Sequence, residues 1–327
     1  MKTQPFRIII AIALLWCHSS AVYTQSIDTT ETSKMNISFF SGGLLVKGWF
    51  FTPKATTNNK LPAIVMAPGF SGTKECNYQF YASNFAKAGF GVLLFDYPNF
   101  GESGGTLRGE ADPWQQIQAY RDGISFLQTL PSVDPDRIGV WGGSYSGGHA
   151  LVTSAIDPRV KCVVSMTPFI SGSYYIHNMP PEVKSFLYQQ FQADRLARIN
   201  GGEPAKIPVA TDNSAQFSAI SSPFAWEFIK SFQQYAPTYE NLVTLKSLEM
   251  QLEYEPGYYV QQIGNKPKLF IIAKNDELIP EQLILDAFDK SAEPKKLAYI
   301  EGHHFSPYME KLQEASHLAI EWFRLHL

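Results

Sequence analysis

The sequence predicts an α/β fold with a mostly parallel central sheet, helices on both of its faces and a helical insertion. Two observations support this prediction. Short apolar runs alternate with amphipathic stretches along most of the chain, as buried strands alternate with covering helices in such folds. The 327 residues are 45% apolar and 17% charged, which is typical of a globular protein and excludes a disordered one. By length, one large domain with an insertion fits as well as two small domains.

The N-terminus has basic, apolar and small residues in the order that is typical of a secretory signal peptide. Two basic side chains precede an apolar run at residues 8–16, and small residues follow that permit cleavage after Ala21. The apolar run is too short to span a bilayer comfortably. The alternatives are a buried N-terminal strand or helix, an uncleaved membrane anchor and a lipoprotein modified at Cys17, although a bulky tryptophan precedes that cysteine. We expect residues 1–21 to be removed, the protein to be secreted or periplasmic, and no stable membrane span to remain after cleavage.

The elements of the fold follow a Thr- and Ser-rich lead-in at residues 24–34. Strands 35–40 and 44–51 are joined by Ser41-Gly42-Gly43, so we expect an antiparallel hairpin at an edge of the sheet. The later apolar runs, typical of buried strands, are 61–67, 91–95, 137–142, 160–166, 268–273 and 296–300. The helices predicted between and after them are 75–88, 113–130, 145–155, 281–289 and 307–327.

Residues 169–263 interrupt this alternation. They are rich in Tyr, Phe, Gln and Pro and predict short helices with loops. Because the stretch lies between two core strands, we interpret it as a cap over the carboxyl ends of the sheet, within a domain that spans 35–327. An insertion packed along the side of the sheet is the alternative.

Two cysteines, Cys76 and Cys162, remain if the N-terminal signal is removed. A disulfide is chemically possible in an oxidising compartment. Cys162 lies in the predicted central strand 160–166, so we expect two separate buried thiols instead.

The segment from Trp141 to Gly148, WGGSYSGG, is the strongest functional signal. A strand, a tight turn and a helix can hold a serine with its hydroxyl exposed, provided that small residues stand two positions before and after it. Gly142 and Ser146 fill those places around Ser144, although the usual pattern has Gly at the second. Ser146 is an alternative nucleophile, and a glycine-rich turn with two incidental serines is a further one. We favour Ser144, because the predicted strand ends at Gly142.

A carboxylate and two histidines follow later strands. Asp276 comes just after strand 268–273, and His303 and His304 lie in the loop after strand 296–300. Such an Asp can accept a hydrogen bond from an imidazole and stabilise its positive form. Its alternatives are a helix N-cap and a surface acid. The chain order Ser, Asp, His is that of α/β-hydrolases.

These segments resemble bacterial α/β-hydrolases of the dienelactone-hydrolase-like and X-Pro-dipeptidyl-peptidase-like group, to which fungal polyketide transferase-like proteins are related. The matching stretches are 95–105, 137–150, 247–257 and 302–308, and the resemblance extends from about residue 39 to the C-terminus. It implies the α/β-hydrolase fold, with Ser144 as nucleophile and Asp276 as acid. It implies His304 rather than His303 as base, because the histidine of the family directly precedes a Phe, here Phe305.

The resemblance also implies an oxyanion hole built from two backbone N–H groups. One belongs to Tyr145, directly after the nucleophile, and the other to Phe70 in the turn at residues 67–72. Pro68 stands where many α/β-hydrolases have His. Because the donors are backbone groups, this substitution need not harm the hole. The alternative is a turn without function.

Several classes of site and partner are not expected. No His, Cys or Asp cluster has the spacing of metal ligands, and no phosphate loop or dinucleotide motif stands in context, so we predict no metal and no cofactor. The net charge of −3 and the absence of a long basic run argue against nucleic acid as a partner. We expect His149 to pack behind the nucleophile and His177 to be a surface residue of the cap.

The sequence therefore predicts a serine hydrolase that acts on a small-molecule carboxylic ester, thioester or amide. Two alternatives remain: an acyltransferase that uses the same three residues, and a non-catalytic binding protein of this fold. The binding protein ranks last, since such proteins usually lack one of the three residues and this chain has them all. The sequence does not identify the substrate or the oligomeric state.

Overall fold

The computed structural model describes residues 30–54, 59–213 and 216–327, so the predicted signal peptide at 1–21 lies outside the described residues. The strands of the described chain are β1 (Thr32–Ser41), β2 (Leu44–Pro53), β3 (Leu61–Ala67), β4 (Gly91–Phe95), β5 (Val133–Gly143), β6 (Val160–Met166), β7 (Lys206–Pro208), β8 (Leu242–Thr244), β9 (Lys268–Ala273) and β10 (Lys295–Ile300). Eight of them form one sheet in the order β1-β2-β4-β3-β5-β6-β9-β10. β1 and β2 form the expected antiparallel edge hairpin. The other six strands of this sheet, β4, β3, β5, β6, β9 and β10, are parallel to one another.

The helices are α1 (Tyr78–Lys87), α2 (Pro113–Thr129), α3 (Tyr145–Ile156), α4 (Gly172–Asn178), α5 (Pro181–Ile199), α6 (Pro223–Phe232), α7 (Leu245–Glu253), α8 (Glu281–Asp289) and α9 (Leu312–His326), with 3₁₀ helices at Pro256–Ile263 and Ser306–Tyr308. Successive side chains of each strand point to opposite faces of the sheet. Thus Val65 belongs to the apolar layer under α2, α3 and α8, while Met66 belongs to the layer under α1 and α9. Both faces are covered, and the predicted fold class is confirmed.

Two predicted helices begin later than expected. The N-cap of α1 is Asn77, whose left-handed φ of 62° stops the helix from extending back to residue 75. Its side-chain amide donates to the carbonyl oxygen of Tyr308 at 2.9 Å. The helix predicted from residue 307 is a 3₁₀ turn, and α9 begins only at Leu312. Tyr308, the last residue of this 3₁₀ turn, is buried, and its ring is in edge contact with that of Tyr78, the first residue of α1. Both late starts therefore lie at one packed contact.

The predicted helical insertion is present between β6 and β9 and contains α4 to α7 with the small β7–β8 ribbon. One part of the insertion does not lie over the carboxyl ends of the sheet, where the cap was expected. The 3₁₀ helix Pro256–Ile263 lies along α3. Gly148 permits this contact, because a Cβ there would approach a ring carbon of Pro256 to 2.9 Å. Within residues 30–54, 59–213 and 216–327, no helix has both the length and the apolar character needed to cross a membrane.

Candidate active site

Ser144 lies at the sharp turn between β5 and α3. Its backbone has φ 57° and ψ −121°, a conformation that residues with side chains seldom adopt. The N–H of Ser144 donates to the carbonyl oxygen of Met166 at 2.8 Å. Gly142 has to be a glycine, because a Cβ at this position would clash with the carbonyl group of Ser146. Strand and helix therefore approach as closely as the sequence motif predicts.

The two candidate serines differ in their surroundings. Ser146 is fully buried, and its hydroxyl donates to the carbonyl oxygen of Pro68 and is 2.5 Å from the hydroxyl of Tyr97. Both of its hydrogen-bonding roles are filled within the core. Ser144, in contrast, lines two cavities. The geometry favours Ser144 as the residue available to a substrate.

His304 connects Ser144 with Asp276. Its Nε2 is 2.9 Å from Oγ of Ser144, and its Nδ1 is 2.8 Å from Oδ2 of Asp276. The two partners of the ring, Ser144 and Asp276, lie directly after β5 and β9, and His304 itself lies in the loop after β10. The side chains of His304 and Asp276 are each only 1% exposed. The structure thus joins the three sequence-predicted residues in one hydrogen-bonded chain.

The second carboxylate oxygen of Asp276 is fixed by the backbone. Oδ1 accepts the N–H groups of Leu278 at 2.9 Å and Ile279 at 2.7 Å. These bonds orient Oδ2 towards the imidazole. The N-cap of the next helix, α8, is Pro280, so the N-cap alternative for Asp276 is wrong.

His303 has a different environment. Its ring stacks on Phe224 with the centroids 3.8 Å apart, and its Nδ1 accepts the N–H of Phe305 at 3.2 Å. Burial lowers the pKa of this imidazole below its ordinary value. Of the two histidines, only His304 contacts the Ser144 hydroxyl.

The two predicted oxyanion donors lie next to Ser144. Phe70 and Tyr145 line a cavity together with Ser144, and their rings are in edge contact at 5.4 Å. The N–H of the neighbouring Gly69 is used, since it donates to the Tyr78 hydroxyl at 2.8 Å. Among the described residues, no acceptor takes the N–H of Phe70 or of Tyr145. These two amides can therefore donate to a substrate oxygen.

A buried ion cluster that the sequence analysis missed supports the turn containing Phe70. Lys74 Nζ lies 2.6 Å from both Asp96 and Glu102, and the backbone N–H of Lys74 donates to Asp96 at 2.7 Å. The side chains of Lys74 and Asp96 are fully buried. Burial alone would lower the pKa of the Lys74 ammonium, but the Asp96 carboxylate raises it above its usual range. The lysine just after this turn gave no local signal of its partners, which lie 22 and 28 residues further along the chain.

His149 packs behind Tyr145, as expected. Its Nε2 is 2.8 Å from the Gln116 carbonyl oxygen, which can only accept, so this nitrogen carries the proton. Its Nδ1 then accepts from the Tyr254 hydroxyl at 3.0 Å. Burial lowers the pKa of His149 to about 3, so the ring is neutral at physiological pH. His177 is exposed on α4 and lines neither cavity at Ser144.

Two cavities meet at Ser144, and Phe70, Ile220 and His304 also line both. The inner pocket is further lined by Gly69, Ser71, Gly72, Cys76, Tyr78, Val209, Ala210, Ala225, Phe228, Ile229, Phe232, Tyr239, Phe305 and Tyr308. The outer pocket is further lined by Tyr145, Phe169, Tyr175, Met179, Val183, Leu187, Phe217, Ser218, Ala219, Ser221, Leu248, Gln251, Leu252, Glu277, Leu278 and Ile279. Aromatic side chains of the insertion contribute to both pockets.

Cys76, in the wall of the inner pocket, and Cys162 are both free and buried, as expected. Burial raises the pKa of the Cys76 thiol to about 12, and that of Cys162 rises for the same reason. A thiol with so high a pKa is a poor nucleophile, because the thiolate is the reactive form. Neither cysteine competes chemically with Ser144.

The fold is that of a hydrolase-type enzyme family. Residues 62–310 match the family described as alpha/beta hydrolase fold. The match covers most of the chain, which therefore belongs to that family, and the resemblance expected from the sequence is confirmed.

Individual relatives support the same class. Thiohydrolase aneE of Aspergillus aculeatus is 32% identical over 286 residues, covering 85% of this chain and 88% of that protein. Polyketide transferase claH of Penicillium crustosum is 27% identical over 271 residues, covering 81% of this chain and 87% of that protein. The crystal structure of hypothetical protein PA2218 from Pseudomonas aeruginosa has a TM-score of 0.81 and 25% identity, covering 93% of this chain and 98% of that one.

Proposed function

We propose that this protein is a serine hydrolase that cleaves a small-molecule thioester or carboxylic ester through an acyl-enzyme on Ser144. The observation that carries the proposal is the unbroken hydrogen-bonded chain from Asp276 through His304 to Ser144. A serine whose hydroxyl bonds an imidazole, itself oriented by a carboxylate, is the arrangement that activates a nucleophile.

Five residues take part in this mechanism. Ser144 Oγ attacks the carbonyl carbon while His304 Nε2 takes the hydroxyl proton. Asp276 keeps the imidazole in the required tautomer and stabilises its positive form. The amides of Phe70 and Tyr145 donate to the developing oxyanion. The imidazolium then protonates the departing thiolate or alkoxide. In the second half-reaction the same imidazole takes a proton from water, which attacks the acyl-enzyme, and returns that proton to Ser144 Oγ as the acid is released.

The thioester is the first substrate class to test, because aneE is named a thiohydrolase. Carboxylic esters pass through the same tetrahedral intermediate and have convenient chromogenic forms. Acyl transfer is the second candidate, because claH is named a polyketide transferase. The two reactions share the acyl-enzyme and differ in whether water or an alcohol consumes it. Product analysis with a thioester and a millimolar alcohol distinguishes them: mainly free acid supports hydrolysis, and mainly ester supports transfer.

The nucleophile is tested with a matched serine pair. Ser144→Ala should abolish labelling by a fluorophosphonate probe and reduce thioester hydrolysis by on the order of a thousandfold or more. Ser146→Ala should retain labelling, because this hydroxyl bonds core groups. Labelling that survives in Ser144→Ala and disappears in Ser146→Ala would refute the assignment.

We also propose that the protein is exported to the periplasm or the medium. The support is the charge, apolar run and small residues within residues 1–21. Mass spectrometry of the protein purified from its own cells should give a chain that begins after Ala21. A chain that retains Met1 would show an uncleaved anchor or an internal protein.

A further inference from the structure

We propose that the inner pocket holds the acyl group, as an uncharged hydrocarbon chain, while the outer pocket receives the leaving group and then the water that replaces it. This inference rests on the proposed function, since it assigns the two halves of the substrate to the two cavities that meet at Ser144.

The walls of the inner pocket decide the chemistry of its occupant. The described residues that line it include no Asp, Glu, Lys or Arg. Most are nearly inaccessible to solvent: Cys76 is 0%, Ala225 2% and Phe232 1% exposed. A charged or strongly polar acyl chain would lose its hydration there without gaining a partner. A hydrocarbon chain gains free energy from the same burial.

The outer pocket differs in both exposure and polarity. Val183 is 40% and Phe217 39% exposed, so its rim reaches solvent. Gln251 and Glu277 add polar groups to its wall. One carboxylate oxygen of Glu277 accepts the backbone N–H of His304 at 3.1 Å, so this polar wall lies beside the residue that bonds Ser144. This pocket can accept a leaving group that is larger and more polar than the acyl chain.

The chemistry of the second half-reaction supports the same assignment. His304 protonates the leaving group in the first half and deprotonates water in the second, so both must reach the same face of its Nε2. While the acyl group remains bonded to Ser144, the water has to arrive from solvent through the space that the leaving group has vacated. Of the two pockets, the outer one has a solvent-exposed rim, so the acyl chain occupies the inner one.

Two alanines give a matched test, because Ala225 lines only the inner pocket and Ala219 only the outer one. Ala225→Phe should lower kcat/KM for p-nitrophenyl octanoate by about tenfold or more, and change that for the acetate by less than about threefold. It should leave unchanged the preference between S-ethyl and S-naphthyl thioacetate.

Ala219→Phe should produce the opposite pattern. The octanoate-to-acetate ratio should stay at the wild-type value, and kcat/KM for S-naphthyl thioacetate should fall by about tenfold relative to S-ethyl thioacetate. Exchanged patterns, or identical patterns in the two variants, would overturn the assignment of the pockets.

Two further measurements keep the test decisive. If Ala225→Phe unfolds, Ile229→Ala enlarges the same pocket from α6 and should raise the octanoate-to-acetate ratio; an unchanged or lower ratio overturns the proposal. The Ser144→Ala variant separates the two levels of inference. If it still hydrolyses the esters, the proposed function fails. If hydrolysis depends on Ser144 and the crossed pattern is absent, only the pocket assignment fails.

Discussion

The backbone of Ser144 shows how single residues prepare the site before any substrate binds. A positive φ is unfavourable for serine, so the surrounding structure must hold it. The carbonyl oxygen of Ser144 accepts the N–H groups of Gly147 and Phe169, both at 2.9 Å. These bonds tie the turn to the start of α3 and to the chain beyond β6. The strain is therefore balanced by hydrogen bonds outside the turn.

The two adjacent histidines should respond very differently to mutation. His304→Ala should lower kcat for ester hydrolysis by on the order of a thousandfold, because it removes the base that bonds Ser144. His303→Ala removes a ring stacked on Phe224 and should lower kcat by less than about tenfold, in line with a change outside the reacting atoms. Steady-state kinetics of both variants checks this, and comparable losses would contradict it.

At this scale the sequence predicted Ser144 and Asp276 from their places after strands, whereas the choice of His304 over His303 came from the resemblance to the hydrolase family. It did not predict the role of Ser146. That role depends on Tyr97 and Pro68, which are 49 and 78 residues away along the chain. Contacts at such separations leave no local pattern, so only the three-dimensional structure identifies them.

The ion cluster of Lys74, Asp96 and Glu102 joins two turns at the edge of the site. Asp96 follows β4, and its carboxylate accepts both the ammonium and the backbone N–H of Lys74 in the segment before α1. The N–H of Glu102 donates to the same carboxylate at 3.0 Å. The turn containing Phe70 is thereby connected to the loop after the neighbouring strand.

Removing this lysine should destabilise the fold. Lys74→Met leaves the fully buried Asp96 without its cation and should lower the free energy of unfolding by about 3–5 kcal/mol. The double variant Lys74→Met/Asp96→Asn should recover part of the loss. Lys230→Met is the control, because its pairing with Glu227 is exposed and should contribute less than about 1 kcal/mol. Urea unfolding measures all three, and a loss below about 1 kcal/mol for Lys74→Met would contradict the prediction.

Elements with strong local signals were predicted well, and those set by packing were not. The apolar runs of β6 and β9 match the predicted strands residue for residue. The late starts of α1 and α9 lie on either side of the bond between Asn77 and Tyr308, two residues that are 231 positions apart in the sequence. The path of the 3₁₀ helix Pro256–Ile263 along α3 likewise depends on a distant glycine. Propensity and periodicity carry no information about such contacts.

The whole molecule brings the site together through the order of its strands. Parallel strands place their carboxyl ends at one edge of the sheet, and Ser144, Asp276 and His304 follow β5, β9 and β10 at that edge. The chain order alone therefore predicted that they meet. The two pockets were beyond such reasoning, because their walls combine short segments from most of the described chain.

The stability of the molecule should depend on pH through His149. Its pKa is lowered from 6.5 to about 3 by burial, so between these values the unfolded chain binds a proton that the folded chain does not. The contribution of His149 to the free energy of unfolding is therefore fully present above pH 6.5. It is lost as the pH falls towards 3, by about 1.4 kcal/mol per pH unit.

The His149→Gln variant tests this contribution. Its free energy of unfolding, measured in urea at pH 6, 5 and 4, should fall less steeply than that of the wild type, by about 1.4 kcal/mol per pH unit. Equal slopes for the two proteins would show that the acid sensitivity comes from other groups. The measurement compares slopes, so a constant loss of stability in the variant does not affect it.

The insertion leaves the sheet after β6 and returns at β9, which is hydrogen-bonded to β6. Because β6 and β9 are parallel, the insertion leaves at the carboxyl end of β6 and has to pass back along the sheet before β9 begins. The 3₁₀ helix Pro256–Ile263, beside α3, makes this return. The part of the insertion before this 3₁₀ helix, from α4 to α7, can be exchanged, lengthened or shortened during evolution while the strands that carry Ser144, Asp276 and His304 keep their register. Natural selection can then change what the enzyme accepts without rebuilding how it reacts. Relatives with one chemistry and many substrates are the expected descendants of such an architecture.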